Sequence, residues 1–140
     1  MNKQEILEFM KGCSCCFLAT SHNEHPHVRG MMPYRIDEDG VIFHTGKMKD
    51  VEKQLVSNPK VEMCFFDPQK KIQVRIAGTA ELLEDLHLKK EIVEHREFLK
   101  PWVEKVGYEP LSVFRIKDCV ATVWTFDTNF SPKEYIKLGK

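Results

Sequence analysis

The residues best suited to chemistry lie at positions 43–50, which read Phe-His-Thr-Gly-Lys-Met-Lys-Asp between an apolar, strand-like run and a helix-like run. Backbone N–H groups at a helix start, a hydroxyl and ammonium groups can together bind a phosphate. On this segment alone, a solvated turn with two surface lysines is the preferred interpretation. The surrounding elements must therefore decide between the two interpretations.

The composition limits the classes of partner. A chain of 140 residues suits a single domain with one core. Lys plus Arg and Asp plus Glu both number 21, so the formal net charge is zero. Proteins that bind nucleic acid or acidic membranes usually carry a basic excess, and we expect neither partner here. Any anion must be bound by a local cluster of donors.

The N-terminal residues and the cysteines indicate the compartment. Residues 1–10 mix charged and apolar side chains, which is unlike a signal peptide or a membrane span. Five cysteines, three of them within residues 13–16, make a poor disulfide framework. The sequence therefore predicts a cytoplasmic protein, with Cys16 facing the core and the roles of Cys13 and Cys15 left open.

Local patterns predict the elements that would position these residues. Asn2 and Glu5 form a capping-box pattern for a first helix that ends at Gly12. Alternating apolar residues and turn signals predict strands at 15–20, at 27–36 with an interruption at Pro33, and at 41–45, 61–66, 72–77, 112–116 and 119–126. Further helices are predicted at 50–57 and from a cap at Asp85 to Lys100, before Pro101.

The order of these elements predicts the fold class. The strands dominate and follow one another through short turns rather than through alternating helices. This order favours an antiparallel barrel over a parallel sheet. We predict a mainly β fold with six or seven antiparallel strands and two or three short helices, formed by residues 1–140 as one domain.

Taken together, several motifs resemble the pyridoxamine 5′-phosphate oxidase-like family of FMN-binding split-barrel proteins, in its small single-domain form. The motifs are Phe17-Leu18-Ala19-Thr20, residues 27–32, Phe43-His44-Thr45 followed by Lys49, Gln54-Leu55 with residues 58–62, and residues 74–78. The resemblance implies a Greek-key split β-barrel. It also implies a homodimer in which each cofactor lies in a cleft between the two subunits.

The resemblance also implies which residues bind FMN. Arg29 and Lys49 match the family's phosphate ligands, and Thr45 matches a hydroxyl or backbone contact. The flavin ring would lie along the second strand. The remaining predicted cofactor contacts are Gly30, Met31, Met32, His44, Lys47 and Trp124, with Trp124 reaching across from the partner chain.

The residue chemistry supports this assignment and leaves alternatives open. Arg offers a planar fork that fits phosphate oxygens, although Arg29 could also be a surface residue on a strand. Successive strand residues point in opposite directions, so one of Met31 and Met32 should fill the core. Trp124 could be ordinary core packing. At the helix start, Asp50 either caps the helix or faces solvent.

Two departures from the family argue against activity on pyridoxamine phosphate. The larger oxidases carry Ser-Arg-Lys where this chain reads Lys47-Met48-Lys49. They also carry a C-terminal Arg and His for that substrate, whereas no Arg follows Arg115 here. The substrate and the electron donor are therefore left unassigned.

Two function classes remain. In the first, the protein is an FMN-dependent oxidoreductase that passes electrons from a reduced nicotinamide to a small electrophile, and the cofactor does the chemistry without a catalytic side chain. In the second, it is a non-catalytic stress-type protein that binds flavin or haem. FAD, a deazaflavin and haem are alternative occupants, with His44 or a loop His as the haem ligand. The spacing of His22, His25 and His27 relative to the cysteines does not match a zinc site, and no metal is predicted.

Overall fold

A computed structural model describes residues 1–139 of the chain as eight strands, four α-helices and one 3₁₀ turn. In chain order these are α1 Lys3–Gly12, β1 Cys16–His22, β2 His25–Met31, β3 Arg35–Asp37, β4 Gly40–Gly46, α2 Asp50–Ser57, β5 Lys60–Asp67, β6 Ile72–Leu83, α3 Leu86–His95, the 3₁₀ turn Glu97–Leu99, α4 Lys100–Val106, β7 Leu111–Thr125 and β8 Ile136–Lys137.

All the strands belong to one antiparallel sheet with the order β2-β1-β5-β6-β7-β4-β3, and β8 pairs with β7 beside this path. The sheet encloses a main core to which β1, β4, β5, β6 and β7 all contribute, with Phe43, Phe65 and Phe114 as its largest buried side chains. Because β2 ends the path, its outer edge has no strand partner among residues 1–139. The predicted mainly β, antiparallel barrel-type fold is confirmed, with more strands and helices than expected.

A second, smaller core fixes the orientation of β4. Ile42, Ile92 and Val113 are buried together between α3 and the sheet. Since neighbouring strand residues point to opposite faces, Phe43 enters the main core while Ile42 faces α3. Packing on both faces holds the strand that leads to the predicted phosphate segment.

The predicted strand 27–36 is in fact two elements. β2 ends at Met31, and Arg35–Asp37 forms the separate strand β3 against β4. Pro33 has no N–H for a strand ladder, and Tyr34 N instead donates to Ile42 O at 2.7 Å. The connection 32–34 thereby crosses from the edge strand β2 to β4.

The two predicted C-terminal strands are in fact one long strand. β7 runs through Lys117 and Asp118, and Asp118 adopts φ 55° where the pairing register with β6 shifts. Opposite this irregularity, a Cβ on Gly78 would lie 2.7 Å from Lys117 O, so only glycine fits there. A β-bulge thus replaces the expected turn.

The predicted helix from Asp85 to Lys100 is wrong at its C-terminal end. Asp85 does cap it, since its side chain accepts from Leu88 N at 3.1 Å. The helix nevertheless ends at His95, and Pro101 lies in the first turn of α4 rather than after a helix. A proline is tolerated there because first-turn N–H groups have no intrahelical partner.

Within residues 1–139, no helix combines the length and the apolar character needed to cross a membrane.

Candidate functional site

Arg29 lies on β2 with its guanidinium turned onto β1 and α2. Nη1 donates to Leu18 O at 3.2 Å and to Thr20 Oγ1 at 2.9 Å, and Nη2 donates to Gln54 Oε1. Thr20 Oγ1 also donates to Gln54 Oε1 at 2.6 Å. Thr20 and Gln54 are only 3% and 6% exposed, so this network forms a rigid support for the guanidinium.

All the acceptors around Arg29 are neutral. In residues 1–139, no carboxylate lies within ion-pair distance of its guanidinium. Burial lowers the pKa of Arg29, yet a guanidinium stays protonated at any physiological pH. The site therefore holds a half-buried positive charge that no carboxylate of residues 1–139 neutralises, which suits an anionic ligand.

The helix that Arg29 contacts through Gln54, α2, has further donors at its start. Lys49 is the N-cap residue of α2, and no side chain hydrogen-bonds to the first turn of the helix. Asp50 is exposed and does not cap the helix, so the solvent-facing alternative is correct. Gln54 belongs to α2, and its bond to Arg29 ties β2 to the helix that Lys49 begins.

Thr45 and Ser112 contribute two hydroxyls near the end of β4. They face each other in the β4–β7 register and are 7% and 1% exposed. Ser112 Oγ is buried without a hydrogen-bond partner in the described structure. Sequence reasoning missed Ser112, and the only signal for it was a polar residue inside an apolar strand. A buried hydroxyl without a partner is unusual and is available to a ligand atom.

The ammonium of Lys47 already has a charged partner, and its predicted contact with the cofactor stays a prediction. Its ammonium pairs with the carboxylate of Glu109, and its backbone N–H donates to Pro110 O at 2.9 Å. The hydrogen bond to Glu109 raises the pKa of Lys47, and the same bond lowers the pKa of Glu109. Lys47 is thus turned toward the start of β7 with its charge already neutralised.

The predicted flavin-contacting stretch lies at the exposed edge of the sheet. Met31 packs against the main core, whereas the side chain of Met32 is 51% exposed, so the prediction that one of the two fills the core is confirmed. A Cβ on Gly30 would meet only Cys15 Sγ, at 3.8 Å. The outer face of β2 at Gly30 is therefore open to a flat ligand.

His44 is held by a residue that sequence reasoning missed. Arg96 donates to His44 Nε2 at 2.9 Å, to Met32 O at 3.1 Å and to Pro33 O at 2.8 Å. Burial, together with the positive charges of Arg96 and Lys49, lowers the pKa of His44 to about 4. No local pattern indicated Arg96, because the predicted helix ran past it without a break.

Trp124 lies on the outer face of β7, next to Val123, which packs against the main core. Its Nε1 donates to Asn129 Oδ1 at 2.7 Å, and the residue lines an open cavity of about 540 Å³ with Gln73 and Thr122. No hydrogen bond or ring contact among residues 1–139 joins Trp124 to Arg29. Its predicted contact with the cofactor across a dimer stays a prediction.

The cysteines near the N-terminus differ in exposure. Cys16 is buried in the main core as predicted, and burial raises the pKa of its thiol to about 12. Cys13 is half-buried with a raised pKa, also through burial, and Cys15 is exposed. Within residues 1–139, no three His, Cys, Asp or Glu side chains are grouped so as to hold a metal ion.

Comparison with solved structures places this arrangement in a known fold. A NimC/NimA family protein from Clostridium acetobutylicum superposes with a TM-score of 0.75 at 23% identity, covering 96% of this chain and 91% of that one. A haem-binding protein from Mycobacterium smegmatis gives 0.71 at 15% identity, covering 99% of this chain and 59% of that one. A FAD-binding protein from Mesorhizobium loti gives 0.63 at 16% identity, covering 89% and 96%. At these identities the likeness shows the split-barrel fold alone.

Sequence comparison is more specific. The pyridoxine/pyridoxamine 5′-phosphate oxidase of Pseudomonas paraeruginosa is 40% identical over 57 residues, which cover 41% of this chain and 26% of that protein. The matched segments span between 26% and 39% of the lengths of the curated relatives. The profile of the family described as pyridoxamine 5′-phosphate oxidase matches residues 3–117. The chain therefore belongs to the pyridoxamine 5′-phosphate oxidase family.

Proposed function

We propose that the protein is an FMN-binding flavoprotein whose phosphate site is formed by Arg29, Lys49 and the start of α2. The observation that carries the proposal is the half-buried guanidinium of Arg29, which is held only by neutral acceptors. A buried positive charge is costly unless an opposite charge arrives to pair with it. A phosphate group supplies that charge.

The other donors fit the same anion. The side chain of the N-cap residue Lys49 does not cap the first-turn N–H groups of α2. These groups, together with the positive end of the helix dipole, can therefore bind an anion. The Lys49 side chain is exposed, and no carboxylate in residues 1–139 pairs with it. FMN carries close to two negative charges on its phosphate, and riboflavin carries none. Arg29 and Lys49 would therefore favour FMN over riboflavin.

The flavin ring would lie along the open edge of β2, where Gly30 leaves room beside the backbone and Met32 is exposed. Unpaired backbone N–H and C=O groups on an edge strand can bind the polar rim of a flavin. Methionine side chains pack well against flat rings. A second copy of the chain would complete the cleft, with Trp124 of that copy as the proposed contact.

Bound FMN would supply the chemistry, by accepting a hydride from a reduced nicotinamide and passing electrons to a small electrophile. The residues of the chain would bind and orient it. Arg29 and Lys49 would anchor the phosphate, and the β2 edge would set the position of the ring. The sequence prediction likewise named no catalytic side chain.

Retention of FMN tests the site. The double variant R29A/K49A should lose FMN during dialysis, while the wild type retains it. K47A is the matched control, because Lys47 is already paired with Glu109 and should not contribute. Far-UV circular dichroism of each variant checks the fold. Retention of FMN by the double variant would rule out the phosphate site.

Turnover is tested separately. The FMN-loaded protein is mixed with NADH or NADPH without oxygen, and the flavin absorbance near 450 nm is followed. Bleaching that a quinone or nitro compound reverses supports the oxidoreductase. Stable FMN binding without bleaching by either donor would instead support a non-catalytic flavin-binding protein.

A further inference from the structure

Arg96 occupies an unusual position beside the proposed cofactor site. It lies in the break between α3 and the 3₁₀ turn, and it donates to two carbonyls of the connection 32–34 and to the imidazole of His44. Its guanidinium also lies 5.5 Å from the centre of the Tyr34 ring. One side chain thus joins the helical segment, the end of β2 and β4.

The contact fixes the tautomer of His44. An arginine can only donate, so the Nε2 atom at 2.9 Å from the guanidinium must be the acceptor. The single proton of the neutral ring then lies on Nδ1. The lone pair of Nε2 accepts the hydrogen bond from Arg96. Nδ1 carries the proton and so has no free lone pair. Neither nitrogen can bind a metal ion without breaking this arrangement.

We propose that Arg96 is a specificity-determining residue that keeps His44 from ligating the iron of a haem, and thereby favours a flavin over a His44-ligated haem in the cleft. The inference deepens the proposed function in naming flavin as the accepted ligand, and the exclusion of iron itself stands on the Arg96–His44 contact. His44 keeps one fixed hydrogen-bond donor, Nδ1–H. The lowered pKa of the ring agrees with this arrangement, since a second proton would meet the guanidinium.

The first experiment needs no variant of Arg96. Long-range ¹H–¹⁵N correlation spectra of the uniformly ¹⁵N-labelled protein without flavin report the tautomer of each histidine, and H44Q identifies the His44 signals. We expect the Nδ1–H tautomer with Nε2 as acceptor at pH 7. An Nε2–H tautomer or an imidazolium would overturn the proposal.

The second experiment measures haemin binding after Arg96 is removed. Haemin is titrated into the wild type, R96A and R96A/H44Q, and the Soret band reports histidine ligation. R96A should bind haemin at least about tenfold more tightly than the wild type, because ligation by His44 in the wild type must first break a charge-assisted hydrogen bond, and the double variant should lose the gain. A His44-dependent haemin spectrum in the wild type, or no gain in R96A, would overturn the proposal.

R35A is the matched control. Arg35 also lies over the Tyr34 ring, at 5.7 Å, but its guanidinium pairs with Glu91 at 2.7 Å and not with His44. This variant should bind haemin as the wild type does, and a gain equal to that of R96A would overturn the specific role of Arg96. Neither experiment uses FMN, so failure of flavin binding and failure of the Arg96 assignment can be told apart.

Discussion

Two kinds of cation border the proposed site, and they differ in what neutralises them. Arg29 and Arg96 are half-buried, and their acceptors are carbonyl, hydroxyl, amide and imidazole atoms. Lys47 and Arg35 are more exposed, and each pairs with a carboxylate, from Glu109 and Glu91 respectively. The sequence predicted both Lys47 and Arg29 as cofactor contacts, and the structure shows that their partners differ: a carboxylate for Lys47, and neutral acceptors for Arg29.

The partner of each cation determines whether its charge remains available to a ligand. An exposed ion pair contributes little to stability and already satisfies its cation. A guanidinium supported by neutral acceptors is held in place and keeps its full charge. We therefore expect the anion to bind beside the neutral acceptors of Arg29 and the carboxylate-paired cations to take no part in binding.

The largest effect should come from R29A. Removing the guanidinium deletes at least two charge-assisted hydrogen bonds to the phosphate, each worth about 1.5 to 3 kcal/mol, so FMN affinity should fall by about 100-fold or more. Quenching of FMN fluorescence measures the affinity. R29K, which keeps the charge but loses the fork, should lie between R29A and the wild type. A loss of FMN affinity of less than threefold in R29A would contradict the assignment of the phosphate to Arg29.

His44 provides a pH test of the same region. Its pKa in the folded protein is lowered to about 4, whereas an unfolded histidine titrates near 6.5. The unfolded state therefore takes up a proton first, and stability present above pH 6.5 is lost as the pH falls toward 4. Between pH 8 and pH 5 the His44 contribution should fall by about 1 to 2 kcal/mol.

Urea unfolding of the wild type and H44Q at these two pH values isolates the effect. The carboxylates titrate in both proteins, so the difference between the two pH dependences belongs to His44. H44Q should lose less stability on acidification than the wild type. Identical pH dependences would mean that Arg96 and burial do not hold His44 neutral.

Q54E would replace a neutral acceptor of Arg29 with a carboxylate. A carboxylate at position 54 would pair with Arg29 as Glu109 pairs with Lys47, and it would repel the phosphate. We expect FMN affinity to fall by about tenfold, which corresponds to about 1.4 kcal/mol. V56E is the control, because Val56 is 62% exposed on the same helix and a carboxylate there is screened by solvent. Equal losses in the two variants would point to a general charge effect.

The smallest effect should come from the Lys47–Glu109 pair. K47A and E109Q should each change FMN affinity by less than about twofold, since the charge of Lys47 is already paired with Glu109 and exposed pairs of this kind contribute little. Fluorescence titration in parallel with R29A measures both. A tenfold loss of FMN affinity in K47A would show that Lys47 belongs to the phosphate site and that a cation paired with a carboxylate can still bind the ligand.

The sequence predicted the parts of the site that depend on local patterns. The alternation around Arg29 and the bounds of α2 were correct, and the strand leading to Thr45 was correct to within one residue at each end. These features follow from side-chain periodicity and from turn residues close in sequence. The family resemblance then indicated which side chains to group.

The parts that were missed depend on contacts between residues distant in sequence. Lys47 meets Glu109 across 62 residues, and Arg96 meets His44 across 52. Arg96 reaches His44 only because α3 ends at His95, whereas the apolar spacing favoured one continuous helix. No local pattern reports such a break, because packing against β4 and β7 determines it.

The central claim is that a phosphate pairs with the free charge of Arg29. The affinities of the wild type for FMN and riboflavin, measured by fluorescence titration under the same conditions, test it most directly. We expect FMN to bind at least about 100-fold more tightly, as two charge-assisted hydrogen bonds require, and most of that preference to be lost in R29A, with the rest due to Lys49 and the start of α2. Equal affinity of the wild type for FMN and riboflavin would contradict the account.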